Sequence, residues 1–246
     1  MNLDHYTYTG RGGRDYNEDA VGSKLSDNRA MFVLADGLGG HSMGETASQC
    51  VIDTLLSAFT GESAGADGRD FISGLLSLAN DNILKLQEEN YCVMKSTAVV
   101  LYIEDDTAVW AHVGDSRLYY IHEGRIDHIT GDHSVAYKKY AAGQITRQEL
   151  KTDEDQSVLL RSLGSRNRYE AETNTEPVRL TQGDAFLLCS DGLWEYLDDD
   201  EVLETFVSTK KSQDWARSLL ARLEDRVDNT NDNISLITVV INPEQG

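Results

Sequence analysis

The chain has 246 residues, a hydrophobic content of 40% and a formal net charge of −20. That length fits one large domain or two small ones with a well-filled core, and because the sequence shows no internal repeat, low-complexity tract or linker, a single domain spanning 1–246 is expected. The charge argues against nucleic acid or an anionic membrane as a general partner, so an anionic substrate would need bound cations or clustered arginines. Three cysteines (Cys50, Cys92 and Cys189) cannot form a fully paired framework. The start, Met1-Asn2-Leu3-Asp4-His5, lacks a basic-then-apolar leader, and no run approaches membrane-spanning length. A reducing, cytoplasmic setting is expected.

Tyr6-Thr7-Tyr8-Thr9 reads as a strand, and Gly10-Arg11-Gly12-Gly13-Arg14 as a glycine-rich turn followed at once by Asn17-Glu18-Asp19. Taken alone, Arg14 beside two carboxylates reads as a local surface ion pair. The apolar run Met31-Phe32-Val33-Leu34 predicts a buried strand that delivers Asp36 into a loop with Gly37, Gly39 and Gly40, where bare backbone oxygen can approach a ligand. Ser42 and Glu45 stand at capping-box spacing, and Ala47, Val51, Leu55 and Ala58 repeat at helical period. Gly61 to Gly68 is a small-residue loop. Ile72, Leu76, Ala79, Ile83 and Leu86 predict a second amphipathic helix.

Three strands follow, at 97–103, 108–113 and 118–121, separated by short polar turns that suit antiparallel hairpins. Gly114-Asp115-Ser116-Arg117 puts another aspartate in a strand-connecting turn, where a hairpin aspartate and a structural ion pair through Arg117 are the plain readings. From 134 to 168 the pattern loosens. Lys138, Lys139, Arg147, Lys151, Arg161, Arg166 and Arg168 face only Glu149, Asp153, Glu154 and Asp155, and this locally basic stretch reads equally as a substrate-contacting flap or a solvated loop. Ala185-Phe186-Leu187-Leu188-Cys189 predicts another buried strand running into Ser190-Asp191-Gly192, with Cys189 as packing. The acidic run 198–201 should cap a helix bearing Val202, Leu203, Phe206 and Val207. Trp215, Leu219, Leu223 and Val227 mark a last helix, and Asp232-Asn233 precedes a strand at 234–240.

Asp36, Asp115, Asp191 and Asp232 each lie at or beside a strand end. If several carboxylates converge they demand cations. An oxygen-only ligand set points to Mg²⁺ or Mn²⁺ rather than zinc, and two such ions can activate water and clamp a phosphoryl oxygen.

Arg14-x-x-Asn17-Glu18-Asp19, Asp36-Gly37-x-Gly39-Gly40-His41, Gly114-Asp115-Ser116-Arg117, Ser190-Asp191-Gly192 and Asp232-Asn233 stand in the order of the metal-dependent protein phosphatases, the PP2C family. Thr130-Gly131-Asp132-His133-Ser134 resembles the segment before that family's flap. The likeness is closest to compact bacterial members. It implies an α+β fold, a four-layer α-β-β-α sandwich of two antiparallel sheets flanked by helices, with a flap at about 134–175. It implies a phosphatase of phosphoserine and phosphothreonine that reverses a Ser/Thr protein kinase and acts as a monomer. It also implies two Mn²⁺ or Mg²⁺ ions and a weaker third. Asp36 would bridge two metals, the Gly37 carbonyl would complete the second site, and Asp191 and Asp232 would bind the first. Glu18 and Asp19 would act through water, Arg14 would hold the phosphate, and Asp115 with Asp191 would make the weaker site. Leu38 stands where many eukaryotic relatives carry an acid histidine. Water ordered by Asp115 is therefore favoured over His41 as the proton donor.

Three alternatives are weaker. The Gly37-x-Gly39 turn is a near miss to a dinucleotide fingerprint, with Ser42 in the third glycine's place. A phosphoprotein binder without turnover lacks a motivating defect. An EF-hand reading of 228–232 fails because Asn233 and Val239 replace the required glycine and glutamate.

Overall fold

The computed structural model describes residues 2–39, 43–59, 68–167, 169–228 and 230–242. The helix start at Ser42, most of the loop at 61–68, His41 and Arg168 therefore lie outside the described residues.

Two antiparallel sheets stack face to face. The five-stranded sheet runs β1 (Asn2–Gly10), β12 (Ile234–Asn242), β11 (Ala185–Cys189), β7 (Arg117–His122), β8 (Arg125–Ile129). The seven-stranded sheet runs β10 (Val178–Arg179), β6 (Thr107–Val113), β5 (Ala98–Glu104), β3 (Arg29–Leu38), β2 (Asp19–Leu25). Two short strands extend it, β4 (Lys95–Ser96) on β3 and β9 (Glu172–Thr173) on β6. Helices α1 (Met43–Ala58) and α2 (Gly68–Asn90) cover this second sheet, while α5 (Asp199–Thr209) and α6 (Ser212–Glu224) cover the first. The expected α-β-β-α sandwich is what forms.

Side-chain alternation explains the layering. In β3, Met31, Val33 and Ala35 pack toward α1 and α2, whereas Ala30, Phe32 and Leu34 fill the space between the sheets. In β11, Phe186 and Leu188 face the other sheet, and Ala185, Leu187 and Cys189 face the helices. With both faces covered, these strands read as unbroken apolar runs rather than alternating ones. Truncating a residue such as Leu188, with no exposed surface, would cost about 2–5 kcal/mol.

Several elements escaped the sequence reading. Strand β2 begins at Asp19, directly after the glycine-rich turn, and β8 carries too few apolar residues to stand out. The segment after 134 is more ordered than its composition implies. It holds α3 (Val135–Ala141), whose N-cap Ser134 accepts a hydrogen bond from the Tyr137 amide, and a 3₁₀ turn at Glu149–Thr152. The Gly114–Arg117 stretch is not a hairpin turn, because β6 and β7 belong to different sheets and the chain crosses between them there. The antiparallel ladders around β3 also exclude the parallel crossover that a dinucleotide fold requires. Among the described residues no helix is long and apolar enough to cross a membrane.

Candidate metal centre

Asp19 opens β2 and Asp36 lies near the end of β3, and the register sets the two directly opposite one another. Asp36 and Gly37 are thus still strand residues, not members of a loop as the sequence reading had them. Gly37 is required by close approach rather than by a positive φ. A Cβ there would sit 2.0 Å from the Gly44 carbonyl oxygen and 2.6 Å from that of Glu18. The Gly37 amide donates to Glu18 O at 3.0 Å, and the Glu18 carboxylate accepts from the Gly44 amide in the first turn of α1 at 3.2 Å. The helix start holds Glu18 at the rim.

Asp232 and Asn233 bring the last carboxylate to the same place. The Asn233 side chain accepts from the Glu18 amide at 2.7 Å and donates to Arg11 O and Tyr16 O at 2.8 and 2.9 Å, so it staples the N-terminal glycine-rich turn to β12. Arg14, in that turn, pairs with Asp232 at 2.6 Å. Its partner is 218 residues away in sequence, not Glu18 or Asp19. Asp191 follows β11 and begins α4 (Asp191–Trp194). Asp115 sits in the crossover between sheets, where Gly114 adopts φ +101° and the Trp194 indole donates to Asp115 O at 3.0 Å.

These carboxylates face one another with too little positive charge among them. Asp19 is buried; Ser190 donates to one oxygen at 2.8 Å, and the other has no partner among the described residues. Burial, opposed in part by its serine hydrogen bonds and reinforced by Asp232 and Glu18, pushes Asp19 up to about 6. Burial and then the charge of Asp132 push Asp115 up to about 7. Asp36 and Asp191 are raised well above the carboxylate range, first by burial, then Asp36 by Asp19 and Asp191, and Asp191 by Asp115 and Glu195. Glu195, which the sequence reading missed, belongs to the same field. Burial raises it, and its charge in turn raises Asp115 and Asp191. Its place one helical turn after Asp191 was the available signal.

An orphaned buried oxygen and several mutually repelling carboxylates are what an oxygen-liganded divalent ion would resolve, so the residues present fit Mg²⁺ or Mn²⁺. Among the described residues the three ligand atoms that do lie within 4.8 Å of one another belong to a different group, His112, His133 and Glu172. There, however, His133 Nδ1 accepts from the Gly114 amide at 3.2 Å. Its Nε2 lies 3.3 Å from the Glu172 carboxylate and 3.2 Å from the Arg161 guanidinium, and that fixed positive charge disfavours a cation there.

Arg117 behaves as the structural ion pair it resembled. It meets Asp132 through two hydrogen bonds of 2.8 and 2.6 Å and lies 3.6 Å from the centre of the Trp194 ring. Much of the basic stretch is likewise paired within the protein. Lys139 meets Asp153 and Asp155, Arg147 meets Asp199, Lys151 meets Asp198 and Arg166 meets Glu88. Its excess charge is therefore spent largely on docking the segment to α2 and the start of α5.

The match of residues 11–230 to the protein phosphatase 2C family model follows this geometry. Protein phosphatase PhpP of Streptococcus pneumoniae is 31% identical over 235 residues, covering 94% of each chain. Among solved structures, serine/threonine phosphatase Stp1 from Staphylococcus aureus superposes with a TM-score of 0.87 at 30% identity, covering 99% of this chain and 96% of that one. The catalytic domain of the serine/threonine protein phosphatase PstP in complex with two manganese ions gives 0.84 at 27% identity, covering 98% and 99%. The chain belongs to the protein phosphatase 2C family. It is a bacterial-type serine/threonine protein phosphatase, a phosphoric monoester hydrolase.

Proposed function

We propose that this phosphatase is metal-dependent, holds two Mn²⁺ or Mg²⁺ ions with a weaker third, and uses them to hydrolyse phosphoserine and phosphothreonine in proteins, opposing a Ser/Thr protein kinase. The observation that carries the reading is the convergence of Asp19, Asp36, Asp115, Asp191 and Asp232 from separate segments, with one buried carboxylate oxygen left unpartnered. The solved complex of the PstP catalytic domain with two manganese ions supports the same chemistry. Asp36, the Gly37 carbonyl, Asp191 and Asp232 would hold the two ions. Glu18 and Asp19 would act through water, and Asp115, Asp191 and Glu195 would hold the third. When bound, such ions lower the pKa of water and neutralise phosphoryl oxygens.

The chain's own residues supply the rest. Arg14, exposed at the rim beside Asp232, would take two phosphoryl oxygens in a bidentate contact. Trp194, Gly114 and the buried Arg117–Asp132 pair hold the Asp115 turn rigid. We read 1–246 as one catalytic domain, monomeric and cytoplasmic, with 134–175 as its flap. Water ordered by Asp115 would protonate the leaving alkoxide. The test is hydrolysis of a phosphothreonine peptide in chelator and after adding Mn²⁺. Activity should vanish in the first and return in the second, and full turnover by metal-stripped protein would refute the reading.

A further inference from the structure

The β3 ladder has one irregular rung, and it falls on Asp36. The register that pairs Leu34 with Val99 and Gly37 with Ser96 sets Asp36 opposite Thr97, in the one-residue gap between β4 and β5. A regular antiparallel pair would exchange two backbone hydrogen bonds. Only one is present: the Thr97 amide donates to Asp36 O at 2.8 Å. The Asp36 amide instead donates to the Thr97 side-chain hydroxyl at 2.9 Å. The bypassed Thr97 carbonyl accepts from the Ser96 hydroxyl at 2.7 Å, which also lies 3.0 Å from Asp36 O.

The Thr97 hydroxyl has a second partner, the Ser116 hydroxyl at 2.7 Å. Ser116 is the neighbour of Asp115, in the crossover between the sheets. Thr97 also fixes that crossover by shape, since a Cβ on Gly114 would lie 2.6 Å from the Thr97 methyl. Thr97 and Ser116 are both essentially buried, so no solvent competes for these bonds. One hydroxyl therefore ties the strand end bearing Asp36 to the turn bearing Asp115, two segments that no ladder joins.

We infer that Thr97 is a positioning residue of the metal centre: its hydroxyl sets the direction of Asp36 and couples it to the Asp115 turn. The inference rests on the metal reading above and assigns Thr97 a role beyond packing. A buried threonine can hold a site by its hydroxyl or merely by its methyl, and two substitutions separate these. Thr97→Val keeps the shape and leaves the Asp36 amide without an acceptor. Thr97→Ser keeps the hydroxyl and loses the methyl.

The experiment is calorimetric titration of the metal-stripped full chain with Mn²⁺, with amide hydrogen exchange at Asp36 and steady-state kinetics on p-nitrophenyl phosphate alongside. Thr97→Val should bind Mn²⁺ roughly tenfold more weakly, exchange faster at Asp36, and lose kcat with KM little changed. Thr97→Ser should stay within about threefold of the parent in all three. A valine variant that matches the parent, or a serine variant as impaired as valine, overturns the inference. Ser116→Ala removes only the link between hydroxyls and keeps the test open if the valine variant does not fold. Weaker Mn²⁺ binding supports the coupling, and unchanged binding refutes it. If the parent itself binds no Mn²⁺, the metal reading fails, and the exchange rates at Asp36 alone then decide for or against Thr97.

Discussion

Strand β11 has an aspartate at each end, and the two live differently. Asp184, before the strand, is almost fully buried and accepts four hydrogen bonds, from the Tyr120 hydroxyl, the His122 ring and the amide and hydroxyl of Thr181. Asp191, after the strand, meets Asp19, Asp115, Glu195 and Asp232, all of its own sign. Both follow from an apolar strand ending in a polar residue. The satisfied carboxylate holds a loop to the sheet, whereas the repelled one stores a demand for a cation. Partner inventory separates the two aspartates where sequence context does not.

Substitution at the two ends should give opposite signatures. Asp191→Ala, and likewise Asp36→Ala, should cut kcat by roughly 10³-fold or more, because several kcal/mol of transition-state stabilisation goes with the ion. Asp184→Ala should leave the folded enzyme active but lower stability by about 2–4 kcal/mol, seen as a fall in Tm of roughly 5–15 °C. Near-normal turnover by folded Asp191→Ala, or catalytic loss without destabilisation in Asp184→Ala, would erase the contrast.

The repelled end also predicts a pH signature. A carboxyl whose folded pKa lies above its unfolded value, about 3.9 for aspartate, confers stability that is full at low pH and lost as pH rises. For Asp19 and Asp115 that loss runs from about pH 4 through about 6 and about 7. Metal-stripped protein should therefore melt at falling temperature from pH 4.5 to 7.5. Mn²⁺ at a hundredfold over its Kd should restore about 2.7 kcal/mol, or roughly 5–10 °C. A Tm in chelator that rises over this range would contradict the repulsion.

Arg14→Ala should come next, with about ten- to a hundredfold lost in kcat/KM, chiefly through KM, as for one charge-assisted contact. An unchanged KM for small phosphate esters would return Arg14 to a simple partner of Asp232. Smallest of all should be the effect of the basic segment after 134. Lys138 is exposed, whereas Lys139 is tied to Asp153 and Asp155. Lys138→Gln should slow phosphoprotein turnover by about two- to fivefold and spare p-nitrophenyl phosphate, as loss of one exposed charge contact would. Equal loss on both substrates would refute a role confined to protein substrates.

Much of this protein was legible without coordinates. The apolar runs at 31–34 and 185–189 announced buried strands, and the helical spacing of Ala47, Val51 and Leu55 announced α1, because periodicity is a local property of the chain. The order of the acidic motifs carried the family likeness. What no spacing contained was adjacency. Arg14 pairs with Asp232 rather than with nearby Glu18 or Asp19, Asp19 faces Asp36 across a ladder, and Asp115 lies on a crossover between sheets rather than in a hairpin. Strand β2 and the order in the segment after 134 were hidden because short half-exposed strands and ion-paired loops carry little apolar pattern. Composition gave the 134–168 stretch its positive charge, but only the fold decided that much of that charge would be neutralised by Asp153, Asp155, Asp198, Asp199 and Glu88. Local chemistry is written along the chain. Which carboxylates repel and which are satisfied depends on residues brought together from distant segments, and electrostatic energy depends on distance in space.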